Sequence, residues 1–144
     1  MVHLGVSSLA TELTLETLAH KSGYKKPDVQ GNFPASNCCY GNEDCIYPEL
    51  DVKAVSQKIN KMIDTGVKSC VSTNAGRYLC EFTFYASLCI NRSRVVFIHV
   101  PEINKPYSIE QMAKCVKNII LLLVEQIKTF PKNSCEGEKM VAAS

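Results

Sequence analysis

Two hydrophobic periods divide the chain. Val95-Val96-Phe97-Ile98-His99-Val100 is an unbroken β-branched and aromatic run ended by Pro101, the pattern of a strand covered on both faces. His3-Leu4-Gly5-Val6 reads as the end of another buried strand, and Val67 to Ser72 as a short one. Leu13, Leu15 and Thr17 alternate with Thr14, Glu16 and Leu18, which favours an extended segment, with a short helix opening at Leu13 as the alternative. The other period is helical. Asp51 caps a stripe of Val52, Val55, Ile59, Met62 and Ile63, with Gly66 as its stop signal. Tyr78, Phe82, Tyr85 and Cys89 recur at helix-face spacing, and Ser108-Ile109-Glu110-Gln111 is a capping-box pattern. It opens a long final helix striped by Ile109, Met112, Val116, Ile119, Leu123 and Ile127.

Between residues 21 and 50, Gly, Pro and Asn recur so densely that a long irregular excursion is the economical reading. Strands otherwise alternate with helices, which points to a single α/β domain over residues 1–130 with parallel strands, followed by a polar, flexible tail over 131–144. In such sheets, sites form beyond the carboxyl ends of the strands. The strand before Cys80 and the strand holding His99 are expected as neighbours or near neighbours joined by a right-handed crossover, with both residues at one rim and Glu16 in reach of it.

Composition narrows the partners. With 144 residues, 46% apolar, 21% charged and a net charge of +2, the chain has no electrostatic case for nucleic acid or a membrane surface. Its longest apolar run, Ile119 to Val124, falls far short of the ~20 residues of a membrane span. The first ten residues lack a basic segment and are interrupted by Gly5, Ser7 and Ser8, unlike a signal peptide, so the eight cysteines are expected reduced in the cytoplasm.

Among those cysteines, Cys80 stands out. A helix opening just after a strand puts it among first-turn N–H groups that favour negative charge, and the thiolate is the reactive form. With His99 as base and Glu16 as orienting carboxylate, three separate segments supply the parts of a thiol nucleophile. The bland readings are a buried Cys80, a satisfied core His99 and a solvated Glu16. Cys70, Cys89 and Cys115 are read as small buried hydrophobes. His20, four residues after Glu16, is the rival imidazole, better read as half of a surface ion pair. Cys38, Cys39 and Cys45 raise zinc or disulfide chemistry, but adjacent cysteines suit a tetrahedral ion poorly, so no metal or other cofactor is expected.

These blocks resemble the pyroglutamyl-peptidase I family of cytosolic cysteine peptidases. His3 to Ala10 through Leu13-Thr14-Leu15-Glu16 resembles the segment bearing the catalytic glutamate. Asn74-Ala75-Gly76-Arg77-Tyr78-Leu79-Cys80 matches the nucleophile block, and Phe97-Ile98-His99-Val100-Pro101 the histidine block. The resemblance implies a three-layer α/β/α fold with a mostly parallel sheet, lacking the strands and Gly-Phe-Gly-Pro-Phe-type loop with which family members begin. It implies Cys80, His99 and Glu16 as catalytic residues, Tyr78 and Leu79 as lining of the lactam pocket, and N-terminally pyroglutamylated peptides as substrates. Lys25 or Lys26 would supply the family's basic residue near the oxyanion, and Lys21 stands where the family has Asn. The alternative is a shortened form with a binding role, or none, in place of catalysis.

Overall fold

A computed structural model describes residues 1–131. Its strands are β1 (Val2–Val6), β2 (Leu13–Glu16), β3 (Ala19–His20), β4 (Cys45–Ile46), β5 (Ser69–Ser72) and β6 (Val96–Val100). Its helices are α1 (Val52–Lys61), α2 (Leu79–Asn91) and α3 (Ile109–Thr129). Of the expected tail, 132–144 lies outside the described residues.

The central sheet runs β1-β6-β2-β5. β1 pairs with β6 and β2 with β5 in parallel, whereas β2 and β6 are antiparallel, Thr14 opposite His99 and Leu15 opposite Ile98. The sheet is therefore mostly parallel, as expected, but the expected rim is not formed. β2 lies between β5 and β6, and β6 runs opposite to both, so the carboxyl ends of β5 and β6 point to opposite edges.

Because side chains alternate along a strand, register assigns faces. Leu13, Leu15, Val96 and Ile98 pack with Val52, Val55 and Ile59 of α1 and with Met112, Cys115, Ile119 and Leu123 of α3. On the other face Phe97 packs with Phe84, Tyr85 and Leu88 of α2, and with Tyr24 and Ile46. The result is three layers, α1 and α3 over one face and α2 over the other. Burial at about 1.5–3 kcal/mol for each large apolar side chain makes these two clusters the main stabilising contribution.

Several elements differ from expectation. β1 is an edge strand rather than a buried one: Leu4 is 56% and Val6 68% exposed, because α3 covers the strands beside it. Leu4 and Val6 instead line an apolar groove of about 730 Å³ with Val116, Ile120 and Leu121 of α3. α2 buries Glu81, Phe84, Tyr85 and Leu88 rather than the stripe through Phe82 and Cys89. Its sequence, Leu-Cys-Glu-Phe-Thr-Phe-Tyr, is apolar on more than one side, so spacing alone does not select the face. Cys89 is exposed and Cys70 half-buried, whereas Cys115 is buried as expected. α1 ends at Lys61, where Met62 turns extended, so Ile63 is exposed and Gly66 (φ +66°) lies in the following turn. The excursion is indeed mostly irregular, pinned by the β3–β4 ribbon and a Ser22–Cys38 bridge.

Candidate active site

Glu16 ends β2 and is 2% exposed. Its Oε1 lies 2.8 Å from Nδ1 of His99, itself 8% exposed. The register explains the contact: His99 sits opposite Thr14, and Glu16, two residues along, projects from the same face. With Nδ1 held by the carboxylate, Nε2 is the ring nitrogen left for proton transfer. The Phe97 ring lies 4.9 Å from the His99 ring, centroid to centroid. Glu16 Oε2 is buried with no hydrogen-bond partner among the described residues.

Cys80, in the first turn of α2, reaches this face over Gly5. A Cβ built on Gly5 would stand 2.8 Å from the Cys80 Sγ and 2.9 Å from Cζ of Phe97. Gly5 is opposite His99 in the β1–β6 register, so the sulfur occupies the sheet position beside the imidazole that a side chain would otherwise fill. Cys80, His99 and Glu16 thus share one sheet face rather than a strand rim. A glycine inside a strand is a signal of close approach, the one mark that Gly5 leaves in the sequence.

The thiol differs from expectation. Burial first, and then the negative charge of Glu16, push the Cys80 thiol up rather than toward thiolate, with its own backbone N–H acting the other way. Such a thiol needs a base to take its proton, and the imidazole nearest in the register is that of His99, held by Glu16.

Tyr78 and Leu79 precede Cys80 and, with Tyr24, Phe33 and Phe82, line a mostly apolar pocket of about 240 Å³. Neither Cys80, His99 nor Glu16 lines it. Both lysines are exposed, and Lys26 but not Lys25 reaches the pocket wall. His20 pairs not with Glu16 but with Glu81, Nδ1 to Oε1 2.7 Å. The expected surface pair is replaced by contact with a buried carboxylate: residues 16 and 20 lie on strands β2 and β3, out of the spacing a helix would give them, and Glu81 has no solvent exposure. The seven described cysteines are free, and no group of three or more metal-ligating side chains lies together among the described residues.

The family model described as "Putative pyroglutamyl peptidase PgaPase_1" matches residues 1–104, which carry all three site residues. The chain belongs to the pyroglutamyl-peptidase I family. It is 40% identical to rat pyroglutamyl-peptidase 1 over 122 residues, covering 83% of this chain and 57% of the relative. Against human pyroglutamyl-peptidase 1 it is 40% identical over 131 residues, 88% of this chain and 62% of the relative. The chain therefore spans less than two-thirds of the length of these relatives. Among solved structures, pyroglutamyl peptidase I of Bacillus amyloliquefaciens superposes with a TM-score of 0.73 at 23% identity, covering 88% of this chain and 67% of the other. A mutant pyrrolidone carboxyl peptidase of Pyrococcus furiosus gives the same TM-score and identity over 88% and 69%. Both share the α/β fold.

Proposed function

We propose that this chain is a cysteine peptidase that removes an N-terminal pyroglutamyl residue from peptides. The observation that carries the reading is the position of the Cys80 sulfur over Gly5, beside an imidazole whose Nδ1 is held by Glu16. His99 Nε2 takes the thiol proton as the sulfur attacks the pyroglutamyl carbonyl, and the C–N bond then breaks as the imidazolium returns that proton to the leaving amine. Water, activated by the same imidazole, hydrolyses the thioester and releases pyroglutamate and free thiol. Glu16 keeps the ring oriented and stabilises its charged form. The Cys80 backbone N–H, in a helix turn whose N–H groups lack intrahelical partners, binds the oxyanion. Tyr78 and Leu79 bound an apolar pocket suited in size and character to the lactam ring.

Free cysteines throughout the described residues support a reducing, cytoplasmic site of action, and no described helix is long and apolar enough to cross a membrane. The proposed partners are pyroglutamyl peptides, with neither nucleic acid nor membrane among them. The test is hydrolysis of a pyroglutamyl aminocoumarin amide by the purified chain. Turnover that Cys80→Ser abolishes supports the reading, and a folded wild-type chain without thiol-dependent turnover overturns it. A second reading, binding without turnover, draws on the open β1 edge and its apolar groove, and the same assay separates the two.

A further inference from the structure

Glu81 is a charged side chain with no solvent exposure, placed directly after the nucleophile. A buried carboxylate persists only where hydrogen bonds and opposite charge replace its water. Glu81 has four such contacts from two segments. Oε1 accepts from the backbone N–H of His20 at 2.9 Å and lies 2.7 Å from His20 Nδ1. Oε2 accepts from the backbone N–H of Arg77 at 2.6 Å and from its guanidinium at 3.1 Å.

The first segment is β3, which follows β2 and its Glu16 after two residues. The second is the turn that delivers Cys80, and its backbone is strained: Arg77 has φ +52°, a region that side-chain-bearing residues seldom adopt. Asn74 Oδ1 holds the same turn through the Gly76 N–H and the Arg77 guanidinium, both at 3.1 Å. Position also favours the contact, since a Glu in the first turn of a helix reaches back to preceding N–H groups and sits well in the dipole.

We propose that Glu81, acting through His20 and Arg77, is a positioning residue that locks the strained turn before Cys80 to the strand segment following Glu16, and so sets the spacing between nucleophile and base. It touches no reacting atom. The inference rests on Cys80 being the nucleophile of the proposed reaction, so it is tested by a readout that needs no substrate as well as by one that does.

The experiment compares wild type with Glu81→Gln, His20→Ala and His20→Asn. Glu81→Gln turns one acceptor into an NH₂ donor facing other donors, and His20→Asn keeps a side-chain N–H donor that His20→Ala lacks. For each protein, circular dichroism checks folding, peptide-mapped iodoacetamide labelling gives the Cys80 alkylation rate, and the reporter amide gives kcat and KM. The expected result is a folded Glu81→Gln chain with kcat and Cys80 alkylation each down about tenfold or more and KM little changed, as a misplaced nucleophile produces. His20→Asn is expected to recover most of what His20→Ala loses. A folded Glu81→Gln chain within twofold of wild type in both rates overturns the proposal. Where Glu81→Gln does not fold, His20→Ala at wild-type rates overturns it, and His20→Ala slowed with rescue by His20→Asn supports it. A wild type without turnover defeats the peptidase reading alone, and the alkylation rates still decide the role of Glu81.

Discussion

Gly5 contributes to the site through its missing side chain. A methyl group there would overlap the Cys80 sulfur and the Phe97 ring, both closer than 3 Å. Gly5→Ala is therefore expected to displace the sulfur from His99, cutting reporter hydrolysis and Cys80 alkylation at least tenfold, while costing about 1–3 kcal/mol of stability by overpacking. Urea denaturation beside the two rate measurements checks both. The thiol itself titrates above the ordinary cysteine range, since burial and the Glu16 carboxylate both oppose its negative charge. Iodoacetamide labelling of Cys80 is expected to rise with pH along a curve displaced to higher pH than that of an unfolded control, and a curve displaced to lower pH would contradict this environment. At this scale the identities of Cys80, His99 and Glu16 were legible in the sequence, as residue types in three matching blocks. Gly5 left only the general signal of a glycine within a strand and Glu81 none, because what gives each its part is what it touches, and those contacts come from segments distant in sequence.

At the scale of elements, N-terminal cap signals were more reliable than stripes or stop signals. The capping box at Ser108 forms as read, Ser108 Oγ accepting from the Gln111 N–H at 3.2 Å and Gln111 Oε1 from the Ser108 N–H at 3.0 Å. Asp51 caps α1 through the Ala54 N–H at 2.9 Å, and its backbone is also bonded to the Gln126 side chain of α3. Ser108→Ala is expected to cost about 0.5–2 kcal/mol, measured by urea denaturation, with little effect on the reporter rate because α3 covers the sheet face opposite the site. The faces of α2 were less legible. Its apolar residues leave several rotations possible, and the one adopted is fixed by Phe97 beneath it and by the donors gathered around Glu81. β1 was likewise legible as a strand but not as an edge, since the alternation of Val2, Leu4 and Val6 is the same whichever neighbours the strand has.

At the scale of the whole molecule, the core itself is titratable. Burial pushes Cys39 and Cys115 up to about 11 and Tyr85 up to about 12, and Tyr24 is raised as well. Above the ordinary thiol value of 9.0 the unfolded chain gives up protons that the native chain keeps, so the native state binds more protons and stability falls as pH rises. Urea midpoints are expected to hold up to about pH 9 and decline progressively toward 11; a midpoint flat over that window would contradict the burial of these groups. The sequence by itself determined the α/β class, the place of α3, the irregular excursion, and the three residues of the candidate triad, because composition, period and cap chemistry are local properties of the chain. Only the tertiary structure decided that β6 runs opposite to β2, and with it that the site lies across a sheet face instead of at a strand rim. That choice is made by pairings between segments more than eighty residues apart, Thr14 with His99 and Gly5 with His99, and strand direction leaves no trace in a period of two.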